Sequence, residues 1–199
     1  MLREILHLVR HSPATLLLRR RLSQAELYDT LMLRSDEAGF ADERRRLVAA
    51  ISGNVVELGC GTGLMFPYYA NTVKLLAIDL DQEFLARAHE RARSAVARIE
   101  VRHASADAIP VADHSQDAVV VSLLLCSVEN IEKVLGEARR VLKPGGKLAL
   151  IEHVRSDGAI AGPLMDVLDP VWLYLNRQGC HMNRRPLDLL TRCGFVVEE

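Results

Sequence analysis

The sequence predicts an α/β three-layer sandwich, a mostly parallel sheet with helices on both faces. Three observations predict it. From residue 54 onward, short β-branched apolar runs alternate with helix-period stretches, as in a parallel sheet with right-handed crossovers. The first run, Val55-Val56-Glu57-Leu58, opens into Gly59-Cys60-Gly61-Thr62-Gly63, a turn whose bare main chain can approach a ligand. The fourth, Ala118-Val119-Val120-Val121, is continuously apolar, as a central strand buried on both faces should be.

The elements follow in order. Strands are expected at 54–58, 73–79, 98–103, 116–122 and 146–153, and helices at 62–70, 81–95, 130–142 and 160–175. Asp81 can cap the helix whose Phe84, Leu85 and Ala88 face the sheet. Lys143-Pro144-Gly145-Gly146 stops the preceding helix and turns the chain into the fifth strand.

Residues 1–50 read as a helical N-terminal cover of the same domain, ahead of a core at 51–199. Leu2, Ile5, Leu6 and Val9 share a helical face, and Ser12-Pro13 resembles a cap with proline at the first helical position. A second helix is expected at 14–33 and a third at 42–51. Residues 1–22 carry five arginines against Glu4 alone. Such a basic amphipathic segment either makes peripheral contact with an anionic membrane or closes over the site as a lid that excludes water.

Composition sets further bounds. The 199 residues suit one domain, and a formal charge of −1 provides no field for nucleic acid. The clusters Arg19-Arg20-Arg21 and Arg44-Arg45-Arg46 read as solvated helix faces. Cys60, Cys126, Cys180 and Cys193 form no C-x-x-C pair or zinc-ligand spacing. They read as reduced thiols in a cytoplasmic protein, with no metal expected. His181 beside Cys180 lacks further ligands nearby in sequence.

The loop is G-x-G-x-G preceded by Glu57, whereas the dinucleotide fingerprint is G-x-G-x-x-G. Asp79 ends the next strand about twenty residues beyond Gly59, where an acidic residue can bind ribose hydroxyls. Together with Ala108-Ile109-Pro110 before Asp117, and Arg140-Val141-Leu142-Lys143-Pro144-Gly145-Gly146, these motifs resemble those of the class I S-adenosylmethionine (SAM)-dependent methyltransferases. The branch with the quinone-biosynthesis C-methyltransferases is especially similar. A narrower set, Leu124-Leu125-Cys126-Ser127-Val128-Glu129-Asn130, Ile151-Glu152-His153-Val154 and Leu168-Asp169-Pro170-Val171-Trp172, looks like the small-molecule thiol methyltransferase group.

The resemblance implies a Rossmann-like sheet in methyltransferase order. It implies SAM as cofactor, with S-adenosylhomocysteine as product, and a small-molecule acceptor. Backbone around Gly59, Cys60 and Gly61 would face the methionine part, with Glu57 tied to the loop or the ammonium. Asp79 would hold the ribose and Leu80 pack on adenine. Ser105 and Ala106 stand where the family bonds the adenine edge, Ser105 often being aspartate there. Ser122 and Leu123 would border the methionine moiety. The family's last strand has no counterpart: Leu187 to Phe195 resembles the helix and glycine turn entering strand six, and the sequence ends at Glu199. Strand five is then an open edge, or residues 195–199, an N-terminal segment or a second copy in a homodimer cover it.

No catalytic side chain is obligatory when the methyl group is already activated. A thiolate acceptor needs deprotonation and orientation, whereas carbon needs a genuine base. Glu152 and His153 end strand five, with alternation sending only one of them toward the pocket; Tyr28 is an orienting donor from the cover. Cys126, Asp169 and Trp172 are the candidate substrate-pocket residues. The expected activity is methyl transfer to a small, apolar thiol. C- or O-methylation of a quinone- or lipid-like acceptor, and a SAM-binding module without chemistry, are the alternatives.

Overall fold

The computed structural model describes residues 23–175 and 179–198. The expected helices within 1–22 lie outside them. Five strands form one parallel sheet: β1 (Gly53–Leu58), β2 (Val73–Asp79), β3 (Arg98–His103), β4 (Gln116–Ser122) and β5 (Leu142–Ile151), in the order β3-β2-β1-β4-β5. The order reverses between β1 and β4, whose paired residues include Val55 with Ala118 and Leu58 with Val121. A crevice opens at such a switch point, beyond the strand C-termini.

Alternation along the central strands divides the core in two. Val55, Ala118 and Val120 face one side with Val48, Leu85 and Ala88. Val56, Leu58, Val119 and Val121 face the other with Val134, Leu135 and Ala138. Burying each such aliphatic side chain contributes about 1.5–3 kcal/mol. The α-helices among the described residues are α1 (Gln24–Ser35), α2 (Ala41–Val48), α3 (Gln82–Ala92), α4 (Ile131–Val141), α5 (Ala161–Leu175) and a short α6 (Leu187–Leu190). Asp81 caps α3 by accepting from the Glu83 and Phe84 amides, and Asn130 caps α4 through Lys133. Ser23 and Glu26 form a reciprocal capping box at the start of α1.

Several expectations are corrected. No α-helix fills 62–70; turns lead to a 3₁₀ turn at Phe66–Tyr68. Gly61 and Gly63 have φ of +55° and +83°, which right-handed helix excludes, and Pro67 offers no amide donor. Among the described residues, the segment before β1 holds two helices joined by a π-helical turn, Asp36–Phe40, kinked at Gly39, where φ is +111°. The fifth strand begins at Leu142, not 146: Gln116 pairs with Leu142 and Ala118 with Lys147. The Lys143-Pro144-Gly145-Gly146 segment is thus a bulge within β5. No strand forms at 195–198; the Phe195 amide instead donates to the Leu190 carbonyl. The edge of β5 therefore has no sixth strand among the described residues.

Arg140 ties α4 to the loop before β4. Its guanidinium donates to the carbonyls of Ile109 (2.9 Å) and Val111 (3.0 Å) and to Glu137 and Asp113. Lysine cannot reproduce this planar fork. Arg140→Ala should lower stability by about 1–3 kcal/mol, with Arg140→Lys recovering under half of the loss, both read from urea denaturation midpoints.

Candidate functional site

The site begins with the loop after β1. The Cys60 amide donates to the Ile78 carbonyl at 2.9 Å. The Gly61 amide donates to Asp79 Oδ2 at 2.8 Å, and the Asp81 amide to Asp79 Oδ1 at 2.9 Å. Asp79 thus braces the loop, and each oxygen keeps a lone pair for a further donor. A side chain at Gly59 would strike Leu124 at 2.5 Å, whereas a Cβ on Gly61 meets nothing nearer than Phe84 at 3.8 Å. The loop therefore packs on the β4 turn at one glycine and leaves space at the other.

Glu57 lies below the loop, fully buried, and accepts from the Tyr69 hydroxyl at 2.9 Å. Burial raises its pKa to about 8, against the opposing Tyr69 hydrogen bond and Arg44 charge. Leu80 is exposed, and the Ser105 hydroxyl donates to Asp107 at 2.6 Å. That leaves the Ser105 oxygen as an acceptor. Ala106 is half-buried beside it. Leu123 takes a left-handed φ of +57° at the end of β4, a conformation costly for a side chain of this kind.

The cover supplies a residue that sequence reasoning missed. Arg45 and Arg46 are exposed, but Arg44 is only 2% exposed. Its Nε donates to Asp36 at 3.1 Å, its Nη1 to Ser122 Oγ at 3.2 Å, and it lies 4.6 Å over the Phe40 ring. Its Nη2 is buried without a partner, a costly omission unless a ligand completes it. The signal was the i, i+4 series Phe40, Arg44, Val48, which places Arg44 on the apolar stripe. Arg44, Tyr28, Glu57, Gly59, Cys60 and Ser122 line a cavity of about 10 Å³, room for about one water. Burial raises the Tyr28 pKa to about 12, so its phenol is a donor and not a base. A larger groove, about 520 Å³, lies along the strands near Asn54, Lys74, Arg98 and Gln116. It sits toward the strand N-termini, away from the loop.

Asp29 of α1 clasps the cover to the loop. It accepts from the Thr62 hydroxyl at 2.6 Å and from Arg91 at 2.8 Å. Arg91 also donates to the Thr62 carbonyl at 2.6 Å.

Beyond β4, both residues of the Glu152-His153 pair turn to the 124–126 loop. Alternation does not separate them, because β5 ends at Ile151. Glu152 Oε1 accepts from the amides of Leu124 (2.7 Å) and Leu125 (2.6 Å), while Oε2 is buried without a partner. Burial raises the Glu152 pKa. His153 Nδ1 lies 3.9 Å from Cys180 Sγ, and ligand atoms of Cys126, His153 and Cys180 all lie within 4.8 Å of one another. A hydrogen bond from Cys126 lowers the Cys180 pKa to about 7, with Trp172 also bonded to that thiol. Asp169 is buried and accepts from His181 Nδ1 and the Met182 amide, both at 2.8 Å. It fixes the segment that carries Cys180, and His181 turns away from the cluster.

A parallel sheet with a glycine loop after its first strand, and a carboxylate closing the second, defines a nucleotide-type ligand site. The comparisons specify it. Residues 56–150 match the family model described as a methyltransferase domain. The chain is 34% identical over 143 residues to a phosphatidylethanolamine N-methyltransferase of Cereibacter sphaeroides, covering 69% of each chain. It is 36% identical over 146 residues to a thiol S-methyltransferase of Homo sapiens, covering 71% of this chain and 59% of that protein. A SAM-dependent methyltransferase structure from Thermotoga maritima superposes with a TM-score of 0.65 at 22% identity, covering 87% of this chain and 78% of the other. The chain belongs to the class I SAM-dependent methyltransferases. It spans 59% of the length of the human thiol S-methyltransferase.

Glu57 generates a pH prediction. Its folded pKa, about 8 against 4.5 for an ordinary glutamate carboxyl, means the folded state holds the proton longer. Its contribution to stability is complete below pH 4.5 and lost as pH rises to about 8. Relative to Glu57→Gln, the wild type should lose stability by at most about 1.4 kcal/mol per pH unit across that window. Paired urea melts at several pH values read the difference, which should be flat above pH 9.

Proposed function

We propose that this chain methylates a small thiol, using SAM as donor. The observation that carries this reading is the position of the two-thiol, one-imidazole cluster. It follows directly on the β4 turn that packs against Gly59. The name of the human relative points to the same acceptor class.

The residues fit the cofactor chemically. The buried, unpartnered Arg44 Nη2 suits a carboxylate, and an arriving ammonium would draw the Glu57 carboxyl back to its ionised form. Bare backbone from Gly59 to Gly61 lines the methionine part, with Ser122 and Leu123 bordering it. Asp79 offers its remaining lone pairs to ribose hydroxyls. Leu80 packs on adenine, and Ser105 and Ala106 meet its edge. When bound, SAM supplies a methyl group already activated on a sulfonium.

The space between Tyr28, Arg44 and Glu57 is too small for an amino-acid group. Entry therefore requires the cover to lift. Gly39 is the natural hinge, at the kink between α1 and α2, and the Asp29 clasp closes the site again. Closure excludes water and holds Arg44 over the cradle. The whole of residues 1–50 acts in this reading as a cover of the same domain. Tyr28 serves as an orienting donor. The acceptor sits by the Cys126, His153 and Cys180 cluster, beside an apolar wall that includes Trp172, and its proton leaves to solvent. The thiols stay reduced, which suits a cytoplasmic setting. Among the described residues no helix is long and apolar enough to cross a membrane.

Incubation of the full chain with methyl-labelled SAM and a panel of acceptors tests the proposal. Small alkyl and aryl thiols should take label, while phosphatidylethanolamine and a quinol should not. Label on nitrogen or carbon alone would remove the thiol reading, and binding without turnover on any acceptor would point to a binding module.

A further inference from the structure

Cys126, His153 and Cys180 come from three separate segments: the turn after β4, the residues after β5, and the segment after α5. Their ligand atoms lie within 4.8 Å of one another. Ligands around a tetrahedral zinc, with bonds of about 2.0–2.3 Å, stand roughly 3.5–3.8 Å apart. The 3.9 Å between Cys180 Sγ and His153 Nδ1 already approaches that spacing. Cys126 is 1% exposed, held by the rigid turn that Glu152 braces, while His153 is exposed and can rotate to close the remaining gap.

Two further observations favour a cation. Glu152 Oε2 is buried beside this cluster without any partner, so a positive charge placed among these acidic side chains would be favoured. The nearby Arg184 guanidinium does not supply that charge to them: it donates to the carbonyls of Leu125 and Val128. The segment carrying Cys180 is also pinned in place. The His181 amide donates to the Cys126 carbonyl at 2.8 Å, and Asp169 holds His181 and Met182. Two sulfurs and an imidazole held this way suit zinc better than a hard cation.

We propose that Cys126, His153 and Cys180 bind one zinc ion as a thiolate, imidazole, thiolate set whose fourth position stays open for the acceptor. The part played by the acceptor rests on the thiol reading above. A thiol arriving at the open position displaces the bound water, and a zinc–sulfur bond forms. The S–H bond breaks with its electron pair left on sulfur, and the proton passes to solvent. The cluster's two thiolates balance the ion, so the bound acceptor sulfur remains electron-rich. No redox change is involved. Trp172, bonded to Cys180, orients that ligand from outside the coordination sphere.

The test of the metal site itself needs neither SAM nor an acceptor. The full chain, reduced and dialysed against micromolar zinc and then metal-free buffer, should retain one zinc per chain by mass spectrometry. Cobalt(II) in its place should give a thiolate-to-metal charge-transfer band, which Cys180→Ser should reduce by about half and Cys126→Ser/Cys180→Ser should abolish. His153→Gln should keep the band while weakening metal affinity by more than about 10-fold. Circular dichroism of the partly exposed Cys180→Ser and His153→Gln variants confirms that each is folded. No retained zinc in the reduced wild type, or zinc binding unchanged in the double cysteine variant, overturns the proposal. Zinc bound without thiol methylation would leave the site standing and remove the acceptor reading. Thiol methylation by a metal-free chain would do the reverse.

Discussion

The site depends on the Asp79 carboxylate holding two amides at once. One amide belongs to Gly61 in the loop after β1, and the other to Asp81 at the start of α3. A glycine loop is entropically expensive to order, and its two small side chains, Cys60 in the core and Thr62 bonded to Asp29, do not order it alone. Bonds to the neighbouring strand, from Gly61 to Asp79 and from Cys60 to Ile78, supply the order instead. They fix the loop to the rigid centre of the sheet, where Val55, Val56 and Leu58 are fully buried. The same carboxylate caps the direction of the chain into α3, so the cradle and the helix beside it are one unit.

Around that unit the remaining parts act as two flanking assemblies. On one side, α1 and α2 carry Tyr28, Asp29 and Arg44 over the loop, with a kink at Gly39 between them. On the other, Glu152 gathers the amides after β4, and the 180–184 segment packs on the same turn. Arg44 is buried with an unsatisfied nitrogen, and Glu152 with an unsatisfied oxygen. Arg44 bonds Ser122 and Glu152 bonds the Leu124 amide, so the two lie on either side of the end of β4. Strain at Leu123 falls between them. Stability given up at these points is recovered in the apolar layers on each face of the sheet.

Much of this was legible from the sequence, for identifiable reasons. Strands 73–79, 98–103 and 116–122 stand as read, because apolar runs in the first and last and apolar–polar alternation in the middle one, each bounded by turns, leave little ambiguity. Asp81 caps its helix by a local rule that needs no tertiary knowledge. The 62–70 stretch failed because its apolar content suggested a helix while Gly61, Gly63 and Pro67 forbade one. Arg44 failed because three adjacent arginines read as one solvated face, whereas a helix sends neighbours 100° apart. The Cys126, His153 and Cys180 grouping has no sequence spacing to detect; only the sheet order and the Asp169 anchor bring them together. Asp169 itself, expected in the substrate pocket, has both oxygens occupied in holding that anchor.

The measurement that bears most directly on the central claim is calorimetric titration of SAM into the full chain and into Asp79→Asn and Arg44→Gln. A braced cradle completed by the buried guanidinium predicts one saturable site in the wild type. Each substitution should weaken it by roughly 1.5–3 kcal/mol while far-UV circular dichroism stays unchanged. Saturable binding of equal strength in all three proteins, or no heat and no thermal shift in the wild type, would contradict it.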